Sequence, residues 1–370
     1  MSGPNQDTTE VYIGIGEMGG AHLETGLRIQ QRATSSNRRI GICTRSADVR
    51  AGNLRGHPQG NNLGVKVRDQ IEPSLMADIR TYETVGDVLR DKTVSAVYIC
   101  RETRVHCELA TLFLNRGIHV FVEKPFGLNP SEALATLNSR RSDAVLAVGQ
   151  ILPFFPQFAG LVTFMSGGHA GTLKGGYLHR MVCASNGINK PENKSACRSA
   201  WFDLAVHDLH LLRLLFGRPV AIRIKEYRLH PDDPTFVSWA MVEIVWADGA
   251  TVVVECGAIE DDSVAFQHGY TIETSSGEVV YEADRYNGVA TTALTGEEPR
   301  ALALPAARFD PDIEPLALEQ TRFAELIANP SSDAGALEPS YALDAVILAD
   351  TCEQMILQQE PSRQISWPTA

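Results

Sequence analysis

The sequence predicts two domains: an α/β domain with a doubly wound parallel sheet, then an α+β domain with a large, open, mainly antiparallel sheet. Three observations predict this. Over residues 1–150, short apolar runs alternate with amphipathic helical stretches, the pattern of a parallel sheet with helices on both faces. Beyond about residue 150, strand-like runs follow one another with only turn signals between them, which reads as antiparallel pairing. A length of 370 residues is enough to bury two separate cores.

The elements follow in order. Residues 1–10 are polar and read as a disordered tail. Val11-Tyr12-Ile13-Gly14-Ile15 reads as a buried strand, Ala21–Arg32 as a helix and Arg39–Cys43 as a second strand. Gly52–Lys66, rich in Gly, Asn and His, reads as a surface loop. Val94–Cys100 is a third strand, followed by a helix over Arg104–Asn115 that Gly117 closes. His119–Val122 is a fourth strand, Pro130–Arg140 a helix and Ala144–Val148 a fifth strand. Continuous rather than alternating apolarity in these strands predicts burial on both faces.

In the second domain, residues 151–370, Leu173–Val182 reads as a strand and Phe202–Phe216 as a helix, stopped by Gly217 with Pro219 beyond. Strands are then expected at Val220–Leu229, Phe236–Trp246, Thr251–Gly257, Gly269–Thr274 and Glu278–Glu282. Turn residues such as Asp248-Gly249 and Ser275-Ser276-Gly277 join them. Helical segments at Leu316–Ala328 and Tyr341–Gln358 close the chain, either within this domain or packed back on the first.

With 33 basic and 45 acidic side chains the net charge is −12, which argues against nucleic acid and anionic membranes as partners. No apolar run approaches a membrane span, and the start lacks the layout of a signal peptide. The seven cysteines are scattered without a Cys-x-x-Cys pair, so neither a metal site nor a disulfide framework is expected. A reducing cytoplasm fits that usage.

Gly14-Ile15-Gly16-Glu17-Met18-Gly19 lies between the first strand and the first helix. In a dinucleotide site Gly14 permits the tight turn, Gly16 admits the pyrophosphate and Gly19 lets helix and strand pack closely. The helix N-terminus then faces the phosphates. The competing reading is a structural glycine turn; the strand before and the helix after favour the site. Where NAD sites usually carry an acidic residue after the second strand, this sequence has Thr44-Arg45-Ser46. These residues could hold a 2′-phosphate, so NADP(H) is expected over NAD(H), the competing reading being a solvated loop arginine.

Glu123-Lys124-Pro125 ends the fourth strand, on the edge where open α/β sheets bind ligands. Asp203 and His207 stand at i and i+4 on one helix face, and an imidazole there can exchange a proton with a hydroxyl. Taken in order, the glycine motif, Glu123-Lys124-Pro125 and Asp203-x-x-x-His207 resemble the glucose–fructose oxidoreductase / inositol dehydrogenase / rhizopine catabolism family. Tyr82, His106 and the closing helix near Ala342–Met355 fit the same pattern.

The resemblance implies a Rossmann domain followed by an open sheet that builds the substrate pocket. It implies hydride transfer between nicotinamide and a hydroxyl or ketone carbon of a sugar, sugar derivative or cyclitol. By the same resemblance Lys124 would bind and polarise the reacting oxygen and His207 would be the general acid/base. Asp203 would hold a substrate hydroxyl or orient the pair, Glu123 would help place Lys124 and the nicotinamide, and sheet faces would pair into a homodimer or homotetramer. Cys100 and Arg101 would lie along the cofactor. The sequence departs from the family where Arg101-Glu102-Thr103 replaces a Thr-Pro-Asn-like stretch, where His210 replaces a common Asp, and where Ala200-Trp201-Phe202 replaces a Gly-Gly.

Trp201 would line the substrate site or belong to the core, and Arg180 would meet an acidic substrate group or form a salt bridge. His106 is expected to cap its helix rather than to catalyse. Two alternatives to a dehydrogenase remain at this level. One is a non-catalytic dinucleotide-binding regulator on the same fold. The other is an enzyme whose tightly held cofactor performs internal redox, as an epimerase or glycoside hydrolase.

Overall fold

The structure, a computed structural model, describes residues 8–32, 38–54, 65–141, 143–168, 170–261, 263, 266–284 and 288–368. Met1–Asp7 of the expected tail and residues 55–64 of the expected loop lie outside the described residues. Thr8–Glu10 are not tail: they open the first strand. Their polar side chains hid this, but Thr9 and Glu10 each have a partner. Thr9 Oγ1 bonds Thr93 Oγ1 at 2.9 Å, and the Glu10 carboxylate accepts from Arg38 at 3.1 Å.

The chain divides into two compact units. The first comprises residues 1–127, 131–149 and 307–339. Its elements begin with β1 (Thr8–Ile13), α1 (Glu17–Arg32), β2 (Arg38–Cys43), α2 (Ala47–Arg50) and α3 (Pro73–Met76). They continue with β3 (Arg80–Tyr82), α4 (Val85–Arg90), β4 (Val94–Ile99), α5 (His106–Leu114), β5 (His119–Glu123), α6 (Pro130–Ser139) and β6 (Leu146–Gly149). The sheet has six strands in the order β3-β2-β1-β4-β5-β6, all parallel. The sequence pattern shows five; the sixth, β3, is a three-residue edge strand, too short to carry a period. The order reverses between β1 and β4, so ligands are expected at the carboxyl ends of those strands.

The core of this unit is aromatic. Tyr12 stacks on Tyr98 at 4.6 Å between ring centroids, and Tyr98 leans on Phe121 at 5.3 Å. Phe323, from a helix near the end of the chain, stands edge-on to Tyr98 at 5.5 Å and to Phe121 at 5.7 Å. Burying such a ring is worth about 2–3 kcal/mol. The first closing helix therefore completes the first unit's core, although in sequence it lies between two segments of the second unit.

The second unit comprises residues 128–130, 150–306 and 340–370. Its elements are α7 (Pro156–Ser166), β7 (Leu173–Cys183), α8 (Lys194–Cys197), α9 (Ala200–Phe216), β8 (Ala221–His230), β9 (Asp233–Val245), β10 (Thr251–Ile259), β11 (Phe266–Thr274), β12 (Gly277–Asp284), β13 (Thr291–Leu294) and β14 (Arg300–Ala301). The remaining helices are α10 (Glu314–Ala328), which belongs to the first unit, and α11 (Pro339–Leu357) of the second, and β15 (Ser362–Gln364) ends the chain's elements. The sheet order is β14-β13-β12-β11-β7-β10-β9-β8-β15. Every neighbouring pair is antiparallel except β7 and β10, which run parallel with Thr251 opposite Gly175. α9 lies against β9, β10 and β7 and ends at Gly217, whose φ of +76° a glycine adopts without a Cβ penalty.

Candidate active site

In the first unit the glycine turn has the shape the sequence implies. Gly14 has φ +88°, and its N–H donates to the Cys43 carbonyl at 3.2 Å. A Cβ on Gly19 would lie 1.8 Å from the Gly14 oxygen, so helix and strand meet backbone to backbone there. A Cβ on Gly16 would meet nothing within 4 Å. Ile15 is buried and Glu17 and Met18 open α1, so the loop ends at the positive end of a 16-residue helix dipole. Close packing at Gly19, open space at Gly16 and the N–H groups of a first turn fit a pyrophosphate.

Arg101 belongs to this turn. Its Cδ would lie 2.5 Å from a Gly14 Cβ, so the Arg101 stem crosses the glycine and its guanidinium meets Glu102 at 3.2 Å. Cys100 sits beside it, its Cβ 3.2 Å from where a Gly19 Cβ would stand. Burial first, and then the Glu123 charge, hold the Cys100 thiol well above its usual range. Beyond β2, Ser46 caps α2 by accepting from the Val49 N–H at 3.3 Å, and Arg50 donates to the Thr44 carbonyl at 2.6 Å. Arg45 itself is exposed.

At the end of β5, Glu123 is buried and Lys124 half-buried. Glu123 Oε1 lies 2.6 Å from His22 Nε2, and Oε2 accepts from the Lys124 N–H at 3.0 Å. The next side chain to enter is Gln320 of α10. Its Nε2 donates to the His22 carbonyl at 2.9 Å and faces His22 Nδ1 at 3.2 Å, while its Oε1 accepts from the Tyr12 hydroxyl at 3.1 Å. Nδ1 therefore acts as an acceptor, and His22 carries its proton on Nε2 and donates it to Glu123. His106 Nδ1 lies 2.8 Å from the Pro125 carbonyl and Nε2 2.8 Å from the Arg101 carbonyl, tying the chain after β5 to the chain after β4. Burial lowers its pKa. His106 thus opens α5 and bridges two loops, a structural position.

In the second unit Ser199 caps α9, accepting from the Phe202 N–H at 3.0 Å. From Ala200 to Leu212 every residue is buried except Asp203 and His207, which share the half-exposed face. The helix is held from behind. Arg180 of β7 makes a two-pronged pair with Asp208 at 2.8 and 2.9 Å, and the Cys256 thiol donates to Asp208 at 3.6 Å. Its N-terminus is held by Arg198, which bonds the Leu128 carbonyl at 2.7 Å, Asp350 at 2.6 Å and Glu353 at 2.5 Å. Arg180 is 3% exposed and paired within the unit, and Trp201 is fully buried, so both stand in the core in this structure. His210 is buried as well.

Gly14, Gly16, Gly19, Cys100, Arg101, Glu123 and Lys124 thus lie together at the carboxyl edge of the first sheet, and Asp203 and His207 together on α9. Sequence reasoning missed His22, Glu319 and Gln320. His22 stands on the buried face of α1, and Glu319 falls on the Leu316–Phe323–Leu326 stripe of α10. A polar residue in an apolar stripe was the available signal.

Residues 11–150 match the model of an oxidoreductase family with a NAD-binding Rossmann fold. Among curated proteins the chain is 28% identical over 150 residues to the rhizopine catabolism protein MocA of Rhizobium meliloti, covering 40% of this chain and 46% of the relative. It is 23% identical over 209 residues to a myo-inositol 2-dehydrogenase of Thermotoga maritima, covering 56% and 54%. The chain spans about half the length of the curated relatives it matches. A levoglucosan dehydrogenase solved with NADH and levoglucosan has TM-score 0.79 at 17% identity, covering 98% of this chain and 100% of that one, which speaks for the fold. No helix among the described residues is long and apolar enough to cross a membrane. With the glycine turn, the Glu123-Lys124-Pro125 strand end and the match to the family model, residues 11–150 are similar to the NAD-binding domain of the Gfo/Idh/MocA oxidoreductase family.

Proposed function

We propose that the chain is a dehydrogenase or reductase that uses NADP(H) in preference to NAD(H) and acts on a CH–OH carbon of a sugar, sugar derivative or cyclitol. The observation that carries this is the shared edge of the first sheet, where the glycine turn, Arg101 and Lys124 lie together. Two similar proteins, named as dehydrogenases of myo-inositol and of levoglucosan, support the substrate class. Arg101 supports binding as well: a guanidinium stem laid across Gly14 suits a pyrophosphate. Arg45, exposed after β2 without an acidic neighbour at 44 or 46, supports the phosphorylated cofactor.

The dinucleotide, when bound, supplies the hydride acceptor or donor. The chain's own groups handle the proton and the geometry. The Lys124 ammonium binds the reacting oxygen and stabilises negative charge on it. His207 takes the hydroxyl proton in oxidation and returns it in reduction, and Asp203 orients it or holds a second hydroxyl. Glu123 fixes the Lys124 peptide. The broad nine-stranded sheet of the second unit supports a homodimer or homotetramer, and the seven cysteines, all free thiols, support a reducing cytoplasm.

The experiment is a turnover screen of sugars, sugar nucleotides and inositols, read by NADPH fluorescence, on the wild type, Lys124→Ala and His207→Ala. Wild-type turnover on at least one polyol, with each variant down about 100-fold or more and cofactor affinity retained, is expected. Normal turnover in both variants rejects the assignment.

A further inference from the structure

Glu319 is fully buried in α10, and neither of its carboxyl oxygens has a hydrogen-bond partner among the described residues. It faces two other titratable groups. One carboxyl oxygen of Glu319, one of Glu123 and a ring nitrogen of His22 all lie within 4.8 Å of one another. That spacing would suit a divalent cation, but the protons are already assigned. The Gln320 amide faces the His22 carbonyl, which can only accept, so its NH₂ end is fixed and its second hydrogen points at Nδ1. A cation on Nε2 would move the ring proton to Nδ1, against that NH₂ group.

The three groups therefore share their charge differently. Glu123 has a donor on each oxygen: His22 on Oε1 and the Lys124 N–H on Oε2. Glu319 has none. Of two neighbouring carboxyls in a dry site, only one ionises, and the one with donors is the anion. We propose that Glu319 is a proton-holding positioning residue, a neutral carboxylic acid behind the end of β5 that leaves Glu123 the single anion there and so fixes the Lys124 peptide. The part concerning Lys124 rests on the function proposed above; the proton itself does not.

The surroundings agree. Facing Glu319 are Glu123 from β5, His22 from α1 and Cys100 after β4, and no cation pairs with it among the described residues. Burial first, and then the Glu123 charge, push its pKa well above the carboxylate range. The Cys100 thiol is raised by burial first and then by the Glu123 charge, and stays neutral. The folded chain then keeps a proton that the unfolded chain releases above about pH 4.3. Stability is lost as pH rises from there towards the folded pKa, by a factor of about ten in the unfolding constant per pH unit.

The test uses the full chain and Glu319→Gln, a neutral isostere. Infrared difference spectra at pH 7 are expected to show a carboxylic-acid C=O band in the wild type that the variant lacks. From pH 6 to pH 7 the ratio of wild-type to variant unfolding constants is expected to rise about tenfold. Loss of a carboxylate band instead, a flat ratio, or uptake of one equivalent of Zn²⁺ or Mn²⁺ that Glu319→Gln abolishes would each overturn the proposal. The positioning half is read separately. Glu319→Ala is expected to lower kcat about tenfold or more with KM little changed, and Glu319→Gln to recover most of it. Equal kcat in the Ala and Gln variants overturns that half. If Lys124→Ala turns over normally while the acid band persists, the functional reading has failed and the proton-holding site has not.

Discussion

Arg180 and Asp208 clasp one another through two parallel hydrogen bonds of 2.8 and 2.9 Å, and both side chains are almost sealed from solvent. The pair joins β7 to the buried side of α9, away from Asp203 and His207. Removing one partner leaves an uncompensated buried charge, which costs about 3–5 kcal/mol. Arg180→Met is therefore expected to lower unfolding stability by that amount, whereas Arg180→Met with Asp208→Leu regains most of it. Urea unfolding of the three proteins checks this. A single variant as stable as the wild type, but with a raised KM, would return Arg180 to the substrate-contact role.

Gly16 and Gly19 look alike in the motif and differ in surroundings. At Gly19 a Cβ would sit 1.8 Å from a backbone oxygen, which cannot swing away, so Gly19→Ala must separate α1 from β1. At Gly16 a Cβ meets nothing within 4 Å. Gly16→Ala is expected to leave stability unchanged or up to about 1 kcal/mol higher, because the unfolded chain loses freedom. It is expected to weaken dinucleotide binding about tenfold or more, the methyl standing where a phosphate approaches. Thermal unfolding and a fluorescence titration separate the two effects. Unchanged affinity in Gly16→Ala argues for a purely structural turn.

Much of this was legible from sequence, for reasons that also explain the rest. The first sheet showed itself through strands buried on both faces, such as Val120-Phe121-Val122, and the glycine turn through its position between strand and helix. Asp203 and His207 were legible because helical spacing fixes which residues share a face. The strand over Thr8–Glu10 was not, because its stability comes from polar partners at Arg38 and Thr93. The parallel pairing of β7 and β10 was not, because register across a sheet leaves no mark in local pattern. His22 precedes Glu123 by 101 positions and Gln320 follows His22 by 298, so only the fold brings them together.

Arg45 separates the cofactor question from the fold. It is exposed after β2, so replacing it should change stability by no more than about 0.5 kcal/mol. A charge-assisted hydrogen bond to a phosphate is worth about 1.5–3 kcal/mol. Arg45→Ala is therefore expected to weaken NADPH binding about 10- to 100-fold and leave NADH binding alone. Equal affinity of the wild type for the two cofactors would defeat the assignment before any variant is made.

Asp91 gives a pH dependence opposite in sign to that of Glu319. Burial works against its charge. The Thr93 N–H and hydroxyl at 2.9 and 2.8 Å, the Tyr82 hydroxyl at 2.8 Å and Arg80 at 2.6 Å outweigh burial and bring its pKa down to about 2. A carboxyl whose folded pKa is depressed adds stability that is complete above its unfolded pKa, near 3.9, and lost as pH falls through the folded value. The site is partly open to solvent, Arg80 being 38% exposed, so screening reduces the gain to about 1 kcal/mol. Asp91→Asn is expected to cost that much at pH 6 and progressively less as pH falls from about 4 towards 2. Urea unfolding of both proteins at pH 6 and pH 3 checks it, and a deficit that is the same at both values would show that the lost hydrogen-bond geometry, rather than the carboxylate charge, carries the effect.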